Sequence, residues 1–412
     1  MNVLVLNCGS SSVRFQLVQT DPERAEAGTD RALARGHVEN IGGPALLKYE
    51  AEDGRTLRES EEILEHTIAV EHVIGLLTRP DVGVIRDRRE IDAVGHRVVH
   101  GGERFKASVR IDDGVIEGIE ECFELAPLHN PPNVRGYRAA RTLLGDTVPQ
   151  VAVFDTAFHQ SMPATAYLYG LPYVLYERHG IRRYGFHGTS HRFVAARLAA
   201  RLGRRLDDPT LRLITCHLGN GCSVAAIRGG RSMDTSMGFT PLEGLVMGSR
   251  SGDLDPAILT HLMAKEELGP AEVNALLNKH SGLLGISGVS NDMRTLLAAE
   301  EGGNARAGQA IDIFCYRLMK YIAAYMGVLG GADGIAFAGG IGENAPAVRR
   351  RTLAPLAGLG VHVDETRNLA LRGDEGEIST LPSSARAFVI PTNEELLIAR
   401  DTMRLVSGLP PS

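Results

Sequence analysis

Apolar residues at positions 3–6 and 13–18 flank the polar run Asn7-Cys8-Gly9-Ser10-Ser11-Ser12, which predicts two strands joined by a glycine- and serine-rich turn. The pattern returns in the second half, where residues 213–217 lead through Leu218-Gly219-Asn220-Gly221-Cys222-Ser223 into residues 224–227. Two strand–polar loop–strand units predict a duplicated architecture, each half presenting one loop to a shared cleft. Strand and helix patterns alternate between them, which favours an α/β class. Residues 91–100 read as a strand, and residues 190–202 as a helix capped by Thr189 or Ser190. Ile311, Phe314, Leu318, Ile322, Tyr325 and Leu329 recur at helical spacing, predicting a long buried helix that stops at Gly330-Gly331. A strand over 334–338 is expected to run into Gly339-Gly340-Ile341-Gly342-Glu343-Asn344 and a further helix. Thr392 and Glu395 read as a capping box for the last helix. The polar stretch 20–35 reads as a surface excursion, and Arg349 to Arg351 as the solvated face of a helix. No Pro/Ser-rich linker cuts the chain, so a domain boundary is expected to be a hinge between packed lobes.

At 412 residues the chain has room for two domains, and 43% apolar with 23% charged residues is an ordinary globular balance. The net charge of −6 argues against a nucleic-acid or acidic-membrane surface. The longest apolar run, near residues 322–332, is too short to span a bilayer, and the N-terminus lacks the features of a signal peptide. Cys8, Cys122, Cys216, Cys222 and Cys315 are scattered with no C-x-x-C pair, so reduced thiols in a cytoplasmic protein are expected.

Several segments carry candidate chemistry. Loops 7–12 and 219–223 can each turn backbone N–H groups toward an anion, or be ordinary hairpin turns. The Walker loop is absent, because no Gly-Lys dipeptide occurs, and Gly340-Ile341-Gly342 lacks the third glycine of the dinucleotide fingerprint. In Gly95-His96-Arg97-Val98-Val99-His100, period-2 alternation puts Arg97 and Val99 on one face, a plausible floor for a small amphiphilic anion; alternatively Arg97 caps a strand end. Asp155 follows the apolar run 151–154, where a metal ligand, an acid–base group or a turn aspartate is found in α/β folds. His187 and His191 stand four apart at a helix start, but Gly188 replaces the glutamate of the zinc-protease pattern, so capping or phosphate contact is favoured over metal. Arg250 lies in the glycine-rich run 247–253, either reaching toward a ligand or solvated.

Taken in order, these segments resemble the acetate kinase family. The matching motifs are N-C-G-S-S-S from residue 7, G-H-R-V-V-H-G-G-E from 95, L-A-P-L-H-N-P-P from 125 and F-D-T-A-F-H from 154. R-R-Y-G-F-H-G-T-S-H from 182, H-L-G-N-G from 217 and D-T-S-M-G-F-T-P-L-E-G from 234 follow. D-M-R from 292, G-I-G-E-N from 340 and P-T-N-E-E from 391 complete a set that spans nearly the whole chain. The resemblance implies the fold shared by acetate and sugar kinases, actin and the heat-shock ATPases: two lobes, each with a ribonuclease-H-like sheet, around an ATP cleft. The first lobe would comprise residues 1–154 with 393–412, and the second residues 155–392.

Residue by residue, the resemblance implies that Asp155, His187, Arg97 and Arg250 are catalytic, and that Asn7 and Glu394 serve Mg²⁺, with Mn²⁺ as an alternative. Arg97 with Val99, Leu128, Phe186 and Pro241 would hold the acid. Ser10, Ser12, Arg14, His217, Gly219, Asn220, Gly221, Asp292, Met293, Arg294, Gly339, Gly340, Ile341, Gly342, Glu343 and Asn344 would contact nucleotide. The implied activity is reversible transfer of the ATP γ-phosphoryl to acetate by a cytoplasmic homodimer. Propionate as the acid, or a non-catalytic or hydrolytic ATP-binding protein, are the alternatives. Arg14 stands where the family commonly has lysine, and Ala338-Gly339 replaces a commoner Thr-Ala.

Overall fold

The computed structural model describes residues 1–411. The chain divides into two compact units, one formed by Met1–Phe158 with the segment from Asn393 onward, the other by His159–Thr392.

The first unit is built on an eight-stranded sheet. Its strands are β1 (Asn2–Cys8), β2 (Ser12–Gln19), β3 (Arg31–Glu39), β4 (Gly43–Ala51), β5 (Thr56–Ile63), β6 (Ala93–Val98), β7 (Val109–Arg110) and β8 (Gln150–Phe154), in spatial order β5-β4-β3-β2-β1-β6-β8-β7. β1 to β5 form an antiparallel meander, while β6 runs parallel to β1, and β8 parallel to β6. Alternation along β1 supplies both cores: Leu4 and Leu6 join one cluster with Phe15, Val70 and Leu77, while Val3 and Val5 join Val151, Val153, Ile398 and Met403. The helices His66–Thr78 and Asn130–Leu144 serve the first of these cores, and the last helix, Glu394–Val406, serves the second. The stretch 20–35 is more than the surface excursion expected. It holds a short helix, Pro22–Ala27, and the start of β3, whose Ala34 and Val38 are buried and whose Leu33 packs against the same core, while Arg31 and Arg35 are exposed.

The second unit has a six-stranded sheet of β9 (Arg212–Leu218), β10 (Cys222–Arg228), β11 (Arg231–Thr235), β12 (Gly334–Ala338), β13 (Gly376–Glu377) and β14 (Arg386–Val389), in order β11-β10-β9-β12-β14-β13. β9, β10 and β11 are antiparallel, and β12 and β14 continue parallel to β9. β3-β2-β1-β6-β8 and β11-β10-β9-β12-β14 therefore share one topology, the ribonuclease-H-like order, and the duplication read from the two hairpins is real. The expected long helix spans Ala305–Leu329, capped by Asn304 and ended by Gly330 in the left-handed region. Between the two units the chain crosses after Phe158, not before Asp155. Asp155 N–H donates to the Val98 carbonyl, and Thr156 Oγ1 accepts from Gly101 N, so the turn after β8 is bonded to the first unit. All five cysteines are free and buried, and no helix among the described residues is long and apolar enough to cross a membrane.

Burial of neutral imidazoles gives a pH-dependent stability. His96 Nε2 lies 2.6 Å from Gln150 Oε1, and burial pushes the ring down from 6.5 to about 4. Burial likewise pushes His100 down to about 3 and His159 to about 4. The folded pKa lies below the unfolded one, so this stability is complete above about pH 6.5 and is lost as pH falls toward about 4. Each ring is expected to contribute a slope of about 1.4 kcal/mol per pH unit inside that window. Urea midpoints measured from pH 7 to pH 5 should fall, and more shallowly in His96→Gln; identical slopes would contradict this assignment.

Candidate active site

In the first unit, three parallel strands end side by side. Leu6 is registered with His96, and Arg97 with Val153, so Asn7, Arg97 and Asp155 come together at the carboxyl ends of β1, β6 and β8, where α/β sheets place their ligands. Arg97 grips Asp155 with two parallel bonds: Nε donates to Oδ1 at 3.1 Å, and Nη2 makes a shorter contact with Oδ2. Its Nη1 donates to Asn7 Oδ1 at 3.2 Å, and Nε lies 3.9 Å from Glu394 Oε2. Burial alone would lower the Arg97 pKa, but the charges of Asp155 and Glu394 hold it above the ordinary value. Glu394 is pushed up to about 7, chiefly by burial, with Arg97 opposing and Asp155 and Glu395 adding to the rise. The cap of its helix is Asn393, whose side chain accepts from Leu396 N, rather than Thr392. Thr392 is otherwise engaged, its N–H donating to Glu343.

Around this group, Ser10 is exposed at the tip of the β1–β2 turn, which is closed by Gly9 N donating to the Ser12 carbonyl at 2.8 Å. Arg14 is exposed and registered with Asn7 and His37. Val99 is buried, its N–H donating to Asn133 Oδ1, whereas Leu128 is 66% exposed. Asn133 also donates to the Cys8 carbonyl, and Asn130 both donates to and accepts from the backbone of His100. These two asparagines, one turn apart at the start of the helix Asn130–Leu144, stitch the ends of β1 and β6. Sequence reasoning passed over them, although they stand within or just beyond the H-N-P-P motif.

In the second unit, His187 precedes the helix Gly188–Arg201 and adopts φ 58°, the left-handed region that histidine enters only with support. The cap is therefore His187, not Thr189 or Ser190. Its Nδ1 lies 2.9 Å from Ser223 Oγ, which also lies 2.8 Å from His191 Nε2. His191 Nδ1 in turn lies 2.7 Å from Thr215 Oγ1, so both rings of the histidine pair are occupied by hydroxyls. Among the described residues, no group of three or more His, Cys, Asp or Glu side chains is arranged to hold a metal. His217 Nδ1 lies 2.8 Å from Ser190 Oγ, and its ring centroid lies 4.2 Å from that of His187.

The loop Gly219-Asn220-Gly221 joins β9 to β10, and a Cβ on Gly221 would come within 3.4 Å of both Arg250 Nη1 and the His187 ring. Glycine here lets a guanidinium and an imidazole share one spot. Arg250 is largely buried, and its Nη1 donates to the Pro241 carbonyl at 2.9 Å. It has no carboxylate partner among the described residues, and burial lowers its pKa. Phe186 is buried. The segment that carries Pro241 is anchored by Arg183, which donates to Glu243 Oε1 at 2.5 Å and to the carbonyls of Thr235, Ser236 and Met237.

The remaining expected nucleotide contacts have structural partners of their own. Asp292 caps the helix Met293–Glu301, accepting from Arg294 N and Thr295 N; its pKa is held at about 2, chiefly by the Arg294 side chain. Met293 is buried. Gly339 has φ 76°, and a Cβ there would strike the Leu218 backbone at 2.8 Å. Glu343 Oε1 accepts from Gly339 N and Thr392 N, while Asn344 donates to the Gly340 carbonyl. Gly340 and Ile341 complete that turn, and Gly342 packs on Phe337. Arg349 contradicts the expected solvated face. It is fully buried, donating to the carbonyls of Gly342, Glu343, Asn368 and Leu371 and to Asn368 Oδ1.

Each unit repeats one sheet order, the first with an arginine–carboxylate group at its strand ends and the second with an arginine that lacks a carboxylate partner beside a histidine, and the family match makes the chain a phosphotransferase. The chain belongs to the Acetokinase family, whose model matches residues 2–400. It is 54% identical to an acetate kinase of Solibacter usitatus over 413 residues, covering 100% of this chain and 99% of that one. The fold is similar to the crystal structure of Porphyromonas gingivalis acetate kinase, with TM-score 0.93, 46% identity and coverage of 98% and 99%. A propionate kinase from Francisella tularensis subsp. tularensis matches with TM-score 0.89, 40% identity and 99% coverage of both chains.

Proposed function

We propose that this chain catalyses reversible, Mg²⁺-dependent transfer of the γ-phosphoryl group of ATP to acetate, giving acetyl phosphate and ADP. The observation that carries the reading is Arg250: a largely buried guanidinium without a carboxylate partner, sharing the Gly221 spot with His187, is built for an anion that arrives from outside. The relatives named acetate kinase support acetate as the acid.

Acetate resembles a glutamate side chain, with a pKa of about 4.3, and is already ionised at pH 7. One carboxylate oxygen attacks the γ-phosphorus in line, the bond from phosphorus to the bridging β-oxygen breaks, and its electron pair leaves with ADP. No proton changes hands, so Asp155 is not required as a base. The difficulty is anion against anion, and the tools for it are positive charge and N–H donors around a loose transition state. Arg97, fixed in place by Asp155 and Asn7, takes the acetate carboxylate. Arg250 and His187 take the equatorial oxygens of the transferring phosphoryl. Asn7, Asp155 and Glu394 are oxygen donors of the kind Mg²⁺ prefers, and a divalent ion there would favour the ionised form of the Glu394 carboxyl, which burial chiefly raises. Bound there, Mg²⁺ (or Mn²⁺) would neutralise phosphate charge.

Val99, Leu128, Phe186 and Pro241 are assigned to the methyl end of the acid. Acetate is expected to be preferred over propionate, with butyrate poor: overpacking a tight apolar wall costs about 1–3 kcal/mol, against about 0.8 kcal/mol gained per CH₂ where space exists. A kcat/KM for propionate above that for acetate would place the chain with propionate kinases instead, and Val99→Ala should move preference that way. The reading also carries cytoplasmic residence, supported by five buried free thiols, and a homodimer, supported by family likeness and testable by light scattering.

A further inference from the structure

His187 stands at the end of a chain of side chains lying wholly within the second unit. Thr215 Oγ1, His191 Nδ1, His191 Nε2, Ser223 Oγ and His187 Nδ1 follow one another at 2.7, 2.8 and 2.9 Å across the three hydrogen bonds. Local structure dictates this line. His191 lies one helical turn beyond His187, with its N–H donating to the His187 carbonyl at 2.9 Å, so the two rings share a face. His217 is registered with Ser223 across β9 and β10, and Thr215 is two residues from His217, so both hydroxyls stand on the same face of the sheet. Thr215, His191 and Ser223 are each 1% exposed or less, so every polar hydrogen among them needs an acceptor inside the protein.

Such a chain can run in two directions. If His191 carried its proton on Nδ1 and donated it to Thr215, the Thr215 hydroxyl hydrogen would be left without an acceptor, because His191 is its only side-chain partner among the described residues. In the opposite direction Thr215 donates to His191 Nδ1, His191 Nε2–H donates to Ser223, and the Ser223 hydroxyl donates to His187 Nδ1. Each hydrogen is then used once. We propose that Thr215, His191 and Ser223 form a one-way hydrogen-bond relay that fixes His187 as the tautomer protonated on Nε2, which makes them positioning residues for that ring. Burial, with the neighbouring His159 and His217 rings, keeps the His191 pKa well below the ordinary histidine range, so the relay runs through a neutral imidazole.

The functional consequence rests on the role given to His187 above. A phosphoryl group presents only acceptor oxygens, so the Nε2–H tautomer attracts it and the other tautomer would turn a lone pair toward it. A proton added at Nδ1 would force the Ser223 hydroxyl to turn away and lose its acceptor, so the relay favours the neutral ring as donor.

Long-range ¹H–¹⁵N NMR of the full chain labelled at histidine reads the tautomer directly, with the His187 signals assigned by their loss in His187→Gln. A protonated-type Nε2 and an unprotonated-type Nδ1 are expected. Thr215→Val removes the hydroxyl that sets the direction while keeping the side-chain shape; it should give a tautomer mixture and, at about 1.4 kcal/mol, lower kcat about tenfold with KM for ATP unchanged. Thr215→Ser should restore both. A His187 ring protonated on Nδ1 in the unaltered protein overturns the relay, whether or not the variants fold. So does a folded Thr215→Val protein whose His187 tautomer is unchanged. The expected tautomer in a protein that makes no acyl phosphate would leave the relay standing and remove the proposed reaction.

Discussion

Asp155→Asn is expected to lower kcat at least about a hundredfold while ATP still binds, because one lost electrostatic contact at a phosphoryl-transfer site costs about 2.7–4 kcal/mol. The amide keeps the shape of the carboxylate but not its charge. It cannot accept from both Nε and Nη2 of Arg97, and so releases the fork that Asp155 now holds. It also removes a negative neighbour of Glu394, one of the causes of that carboxyl's raised pKa. Fold should persist, since β8 and the Asp155 N–H bond to Val98 do not depend on the charge. Steady-state rates with ATP and acetate, alongside ATP titration by calorimetry, check this; near-normal turnover in a folded variant would remove Asp155 from the site.

Arg250→Lys is expected to be nearly as damaging as Arg250→Ala, with kcat down by about 10²–10³. A lysine keeps the charge, but it cannot donate to the Pro241 carbonyl and fork toward phosphoryl oxygens from the same planar group. A lysine variant within a few-fold of the unaltered enzyme would mean that Arg250 supplies charge alone.

Local pattern carried much of the fold and part of the site. Period-2 alternation in the segment around Arg97 put His96 and Arg97 on opposite faces, and the structure has one in the core against Gln150 and the other at the strand-end group with Asp155 and Asn7. The hairpins at Asn7 and Gly219 were legible for the same reason, since a short apolar–polar–apolar run has few other ways to fold. What escaped was decided by distant chain. Arg349 looks like its neighbours Arg350 and Arg351, but successive helix positions point about 100° apart; the carbonyls of Asn368 and Leu371, later in the chain, join those of Gly342 and Glu343 in receiving it inside. Thr392 looked like a cap until Glu343, far away in sequence, claimed its N–H. Ser223 drew notice only as part of a loop, because two histidines meeting on one hydroxyl is a tertiary fact. Residues 20–35 do lie largely at the surface, but the start of β3 within them escaped notice, because only Ala34 and the half-buried Leu33 tie it to the core.

The central claim, phosphoryl transfer to a carboxylate, is tested most directly by trapping the product. The purified chain is incubated with ATP, Mg²⁺, hydroxylamine and either acetate or no acid, and hydroxamate is measured alongside ADP. Acetohydroxamate in step with ADP, and neither without the acid, is the expected result. ADP released at the same rate with and without acetate, with no hydroxamate, would show a hydrolase and contradict the assignment of Arg97 and Arg250 to a carboxylate-to-phosphoryl transfer.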